Sequence, residues 1–239
     1  MTASFVLSIV MALVLFGVPV GFFFYYALKV PKYILPYVMG MVTFTVTQIL
    51  LRFPLVSFLE NMFWFKSFQM FHPIWATAFY AFSAGLFEEG GRYISMRYFM
   101  RERQGWNQAV IFGLGHGGVE AMWLLGLNLV YGLFADRGSL MALPTEALLI
   151  SFVERVLAVL FHMAISVMVM VVVQKRKPLF LVLVMVIHGV FNFVPQLAIW
   201  AGVGNWAVEG IILLMVLALM AYAAYARKAE WLSEEEMIW

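Results

Sequence analysis

The sequence predicts an all-α polytopic membrane protein with about seven transmembrane helices. Two observations lead there. Of 239 residues, 64% are hydrophobic and only 12% charged, whereas an ordinary soluble domain carries about a quarter charged residues. The apolar residues also fall in long runs separated by charge or proline, each near the roughly 20 residues that cross a hydrocarbon core about 30 Å thick. A soluble globule is excluded. The absence of cysteine excludes a disulfide-stapled fold and a Cys-ligated metal. The net charge of +2 is too small and too balanced for a nucleic-acid binder.

Taken in order, the spans fall at about 3–27, 33–58, 73–97, 106–134, 146–173, 178–201 and 206–226. The first has no basic residue before it and no small-residue cleavage site, so it reads as a retained helix and not as a removed signal peptide. The stretch Leu59 to Phe71 mixes Glu60, Asn61, Lys66 and Gln69 with many Phe. It is too short and too polar to span and reads as an interfacial loop or half-helix. No internal repeat divides the chain, so residues 1–239 form one membrane-embedded domain, with 73–201 as the polar-motif core.

Basic residues orient the bundle. Lys29, Lys32, Arg97, Arg101, Arg103, Lys175, Arg176, Lys177, Arg227 and Lys228 flank one set of span ends; Arg52, Lys66 and Arg137 flank the other. The N-terminus is therefore expected outside and the C-terminus in the cytoplasm.

Ionisable residues inside a span are costly and mark function by default. The third span carries Glu88, Glu89 and Arg92, the fourth His116 and Glu120, the fifth Glu154, Arg155 and His162, and the sixth His188 with Asn192. Glu88 with Arg92, His116 with Glu120 and His188 with Asn192 are four apart, on one helical face; Arg155 and His162 are two turns apart on one stripe. Counted from the nearest basic flank, Glu88, His116, His162 and His188 lie roughly 14 to 20 Å deep at about 1.5 Å per residue. Four helices thus bring such groups to one level.

Plainer readings stand beside this. A single membrane Glu–Arg pair such as Glu154 with Arg155 is usually a structural tether. His72, beside Pro73, reads as interfacial; Glu209 and the acidic tail Glu234, Glu235 and Glu236 read as facing water. Gly113, Gly115, Gly117 and Gly118 read as a close-packing surface that also leaves room for a substrate backbone near His116.

Imidazoles and carboxylates suit Zn²⁺, held at catalytic sites by three protein ligands and a water. His116, His162 and His188 supply three nitrogens, with Glu88 or Glu120 as alternative ligand or base. A metal-free version is equally drawable. In it Glu88 activates a water with help from His116, while His188 and Asn192 stabilise the oxyanion. Neither an HExxH nor a GxSxG motif is present.

At these residues the chain resembles a known group. Glu88-Glu89 followed by Arg92, Phe112 four before His116, and His188 four before Asn192 resemble the three motifs of the CAAX prenyl endopeptidase and bacteriocin-processing (CPBP) intramembrane protease superfamily. EEGGRY, GLGHGGVEA and the ER...H segment of the fifth span are most similar to its YhfC branch of bacterial membrane peptidases. The resemblance implies an integral protein of the bacterial cytoplasmic membrane that cleaves a membrane-associated peptide or protein, with its site opening toward the cytoplasmic half. It also implies Glu88 as the water-activating glutamate, His116 as its partner or ligand, and His188 and Asn192 as the remaining site groups. Arg92, Glu120 and Arg155 then support them. The family places three residues between the Glu pair and the Arg, whereas only Gly90 and Gly91 intervene here, which leaves the choice between Glu88 and Glu89 open. A transporter or proton relay built on the same Glu/His cluster is the competing class, and a catalytically silent scaffold a third.

Overall fold

In hydrocarbon a backbone N–H or C=O has only the chain itself for a partner, so helices are the structure these apolar runs allow. The computed structural model describes residues 3–232, and these contain no strand; the tail glutamates 234–236 lie outside them. The helices are α1 (Ala3–Lys29), α2 (Pro31–Glu60), α3 (Phe63–Phe71), α4 (Pro73–Ile94), α5 (Trp106–Phe134), α6 (Arg137–Ala142), α7 (Thr145–Gln174), α8 (Leu179–Trp200) and α9 (Asn205–Lys228). Six of them, α1, α2, α5, α7, α8 and α9, are long and apolar enough to cross a membrane. The expected third span, α4, has 22 residues but carries Glu88, Glu89 and Arg92, and packs along α8 inside the bundle. The predicted half-helix is α3: its Phe65 is buried, and Gln69 donates to Tyr80 Oη of α4 at 2.6 Å, which donates to Glu60 at 2.6 Å.

The central helix is α7, whose Phe161, Ile165, Val169, Met170 and Val173 are buried. On its two sides lie α5 and α9, and α5 is itself sandwiched between α7 and α2. Glycine makes that sandwich possible. A Cβ on Gly113 would strike the His162 carbonyl of α7, one on Gly115 the Tyr37 carbonyl of α2, and one on Gly40 the Phe112 carbonyl of α5. The packing surface expected from these glycines is thus present, but neighbouring helices occupy it, and His116 between them is fully buried. It leaves no room for a substrate backbone. Outward, Leu13, Phe63, Phe134, Leu179 and Leu214 are more than two-thirds exposed, the apolar rind that lipid would cover.

Contacts set the helix directions. α4 and α8 run in opposite directions, since Phe82 meets Phe193 while Gly85 meets Gly189, and α1 and α7 start at the same end, since Ser4 at the start of α1 bonds the Leu143 carbonyl just before α7. One end of the bundle therefore holds Arg137 and Gly204, the other Lys29, Arg103 and Lys175. Three helices loosen into π turns, at Thr45–Arg52 within α2, Ser95–Phe99 after α4 and Met122–Gly126 within α5. The first corrects one assignment: Arg52 is not a flanking loop residue but is buried, donating to Gln48 at 3.0 Å, Ser83 at 3.1 Å and the Tyr80 carbonyl at 2.6 Å.

Candidate active site

The four polar helices converge. Glu88 on α4 is 5% exposed; its Oε2 lies 2.9 Å from His116 Nε2 on α5, 3.9 Å from His162 Nε2 on α7 and 3.9 Å from His188 Nε2 on α8. His162 Nε2 is 2.5 Å from Glu120 Oε2. The ring centroids of His116 and His162 are 4.5 Å apart, and those of His162 and His188 5.7 Å. His116 packs against the rings of Phe44 and Phe112, and His188 against that of Phe161, so aromatic side chains fix both imidazoles.

The two glutamates part company here. Glu88 faces the cluster and lines both cavities described below. Glu89, fully buried, turns behind it to accept from His188 Nδ1 at 2.7 Å and to meet Arg92 Nε at 3.3 Å. Arg92 pairs with Glu89 and not with Glu88, its neighbour one turn back. It also donates to the His162 carbonyl at 3.0 Å and to Ser166 Oγ at 2.6 Å. These contacts fix tautomers. Arginine has donors only, so the 3.0 Å contact from Arg92 makes His162 Nδ1 an acceptor and leaves the proton of a neutral ring on Nε2, facing Glu120. His188 is the reverse: its Nδ1–H is given to Glu89, and the Nε2 lone pair looks toward Glu88. A carboxylate behind a histidine is the usual way such a ring is oriented for ligation.

Whether a metal fits can be read from the donors. Glu88, His116, Glu120 and His162, all buried, each bring one ligand atom, and these lie within 4.8 Å of one another. Tetrahedral zinc with bonds of about 2 Å asks for ligand atoms about 3.3 Å apart. Glu88–His116 at 2.9 Å and His162–Glu120 at 2.5 Å would open slightly, and the wider pairs, up to 4.8 Å, would close. His162 would join only once its Nε2 proton has left. The set differs from the three expected histidines: two carboxylates enter, and His188 joins through Glu88.

Sequence reasoning missed Gln48. Its Nε2 donates to Glu88 Oε1, and its Oε1 is held by Arg52, which orients the amide with its donors inward. The signal was present, since Gln48 and Arg52 are four apart within an apolar run. Asn192 is exposed along the wall of both cavities, and Arg155 ties Glu120, at 2.8 Å, to Glu154.

One cavity of about 290 Å³ runs from Glu88, His162 and His188 past Asn192 and Gln196 to Ile199 and Asn205. A second, of about 370 Å³, runs from Glu88 past Gln48 and Arg52 to Phe53, Thr77 and Tyr80. Both lead to the Arg137 end. The opening implied by the resemblance lay at the other, basic end; there the site is closed by Met96, Phe112, Ile165 and Val173, all at most 1% exposed. Glu209, expected to face water, is 7% exposed and lines the first cavity.

Comparison with known proteins identifies the family. No solved structure matches the chain. The uncharacterized membrane protein YhfC of Bacillus subtilis (strain 168) is 28% identical over 232 residues, covering 87% of this chain and 90% of that protein. The family model described as YhfC intramembrane metalloprotease matches residues 12–143 and 137–213, which takes in every helix from α2 to α8 with the whole Glu/His cluster. The chain belongs to that family.

Proposed function

We propose that the protein is an intramembrane endopeptidase that hydrolyses a peptide bond of a membrane-associated protein or peptide, using a water activated by Glu88. The observation that carries this reading is the position of Glu88: a buried carboxylate in contact with His116 and Gln48, at the junction of two cavities that reach the protein surface. A general base must sit within hydrogen-bond reach of the proton it takes, and a water in either cavity meets that condition.

His116 and Glu120, with His188 or, once its Nε2 proton has left, His162 as the third ligand, would hold a divalent cation, zinc being the one these donors suit, and would leave Glu88 free as the base. Such a cation would polarise the scissile carbonyl and acidify the water. The chain's own groups do the rest. The Gln48 amide, pinned by Arg52, holds the Glu88 carboxylate in one rotamer and leaves its other oxygen to accept the water's proton. Glu88 then gives that proton to the leaving amine, with His116 beside it keeping the carboxylate in place. Asn192 offers donors to the carbonyl oxygen as it gains charge. Aromatic rings around His116 and His188 keep bulk water out, which strengthens each of these interactions.

The test uses the purified chain in lipid nanodiscs with quenched-fluorescence apolar peptides. Glu88→Gln keeps the shape of the side chain but not its basicity, and is expected to lower hydrolysis by at least about 10²-fold with the thermal unfolding temperature retained. Chelator is expected to remove both activity and bound metal, measured by elemental analysis. Activity that survives the replacement of Glu88 would overturn the reading. Activity that survives chelation but still requires Glu88 would keep the peptidase and remove the metal from it.

A further inference from the structure

The cavity between Glu88 and the Arg137 end has an unbalanced charge. Its lining holds four carboxylates, Glu88, Glu120, Glu154 and Glu209, and a single guanidinium, Arg155. Arg155 is committed, donating to both Glu120 and Glu154. A dication held among Glu88 and Glu120, or protons shared with their histidines, balances those two. Glu209 is then left over. It lies on the second turn of α9, is 7% exposed, and its Oε2 is buried with no hydrogen-bond partner. No ion pair among the described residues reaches it.

A buried, unpaired carboxylate is costly, and proteins keep one where a proton, a metal or a cationic ligand completes it. The surroundings favour the ligand. Gln196 and Asn205 bring amide groups to the same wall, and Ile150, Val208 and Ile212 bring apolar surface, the combination that accepts an alkyl chain ending in a charge. The mouth is braced as well, Trp206 Nε1 donating to Glu146 at 2.7 Å and so tying the start of α9 to the start of α7.

We propose that Glu209 is the base of a specificity subsite for a cationic group, the ammonium or guanidinium of a peptide, beside the bond presented to Glu88. The proposal rests on the peptidase reading for its substrate but on the cavity for its chemistry. The cation can come from a Lys or Arg side chain or from a free N-terminal amine; both place an N–H donor and a positive charge against Glu209.

Binding is measured on the full chain carrying Glu88→Gln, in phosphatidylcholine nanodiscs, by fluorescence anisotropy. Three labelled apolar decapeptides serve as probes: N-acetylated with one central Lys, N-acetylated with norleucine in its place, and norleucine with a free amine. The Lys probe is expected to bind about ten- to a hundredfold more tightly than the acetylated norleucine probe, the scale of a charge-assisted hydrogen bond. The free-amine probe shows which source of the cation the site reads. Adding Glu209→Gln, or Glu209→Ala as a second route, is expected to erase the preference and leave neutral-probe affinity unchanged. Equal affinity for all three probes, no measurable binding of either cationic probe, or a preference that survives both Glu209 replacements would overturn the subsite. Hydrolysis of the same probes by the unaltered chain is read in parallel. Cleavage without charge preference refutes the subsite and keeps the peptidase, whereas cation preference without cleavage does the opposite.

Discussion

Side chains of one chemical type serve different ends in this centre according to what stands behind them. Glu88 and Glu89 are adjacent in sequence, yet one meets the cavities and the other is spent on His188 and Arg92. A helix turns 100° per residue, so neighbours cannot share a face, and Arg92, three residues after Glu89, lies close to it on the next turn. Gln48 offers the sharpest test at this scale. Gln48→Leu removes the donor to Glu88 while keeping an apolar side chain of similar length, and is expected to lower kcat by about 10–100-fold, the usual loss when an orienting partner of a reactive group is deleted, with KM little changed. A proportional loss in KM would show that Gln48 contacts substrate instead. The ionisable members of the centre were legible because a charge within an apolar run has few innocent explanations. Gln48 carries no charge and was passed over, and Arg52 was taken for a flank because it closes a hydrophobic run. Glu209 was misjudged for a similar reason: four residues into a helix, it sits where many glutamates are wet.

At the scale of elements, the spans were legible to within a few residues, because span length answers to bilayer thickness and span ends to charge and proline. The π turns were not. Their extra residue per turn follows from which carbonyl each N–H meets and leaves no mark in hydropathy, although the first of them is what places Gln48 and Arg52 on the inner face of α2. Helix spacing, by contrast, is written in glycine. Gly113→Val would place its side chain against the His162 carbonyl and the Met163 backbone, forcing α5 from α7. The expected cost is about 1–3 kcal/mol in stability, read as a lower unfolding temperature, together with loss of hydrolysis as His116 and His162 separate. Gly138→Val, at a site with open space around it, is the matched control and should leave both unchanged.

For the molecule as a whole, moving Arg52 into the bundle leaves ten basic residues at one end against Lys66 and Arg137 at the other, a sharper asymmetry than the sequence alone indicated. The orientation proposed from it places Arg137 outside. The chain has no cysteine, so single-cysteine probes are clean. Ser139→Cys, exposed at the Arg137 end, is expected to react with a membrane-impermeant maleimide on intact cells, and Glu102→Cys, exposed at the basic end, only after permeabilisation. The reverse pattern would invert the bundle, and with it the side of the membrane from which both cavities are entered.

The junction of those cavities has a kinetic consequence. Every bond cut consumes one water, and an enzyme buried in lipid risks stoppering its own supply when a polypeptide fills the only entrance. Glu88, Glu120, Arg155, Asn192 and Gln196 border both cavities, so a chain lodged beside Glu209 leaves the passage past Tyr80 and Gln48 clear. On the proposed peptidase reading, substrate and co-reactant would arrive by separate doors, and saturation with one would not starve the reaction of the other.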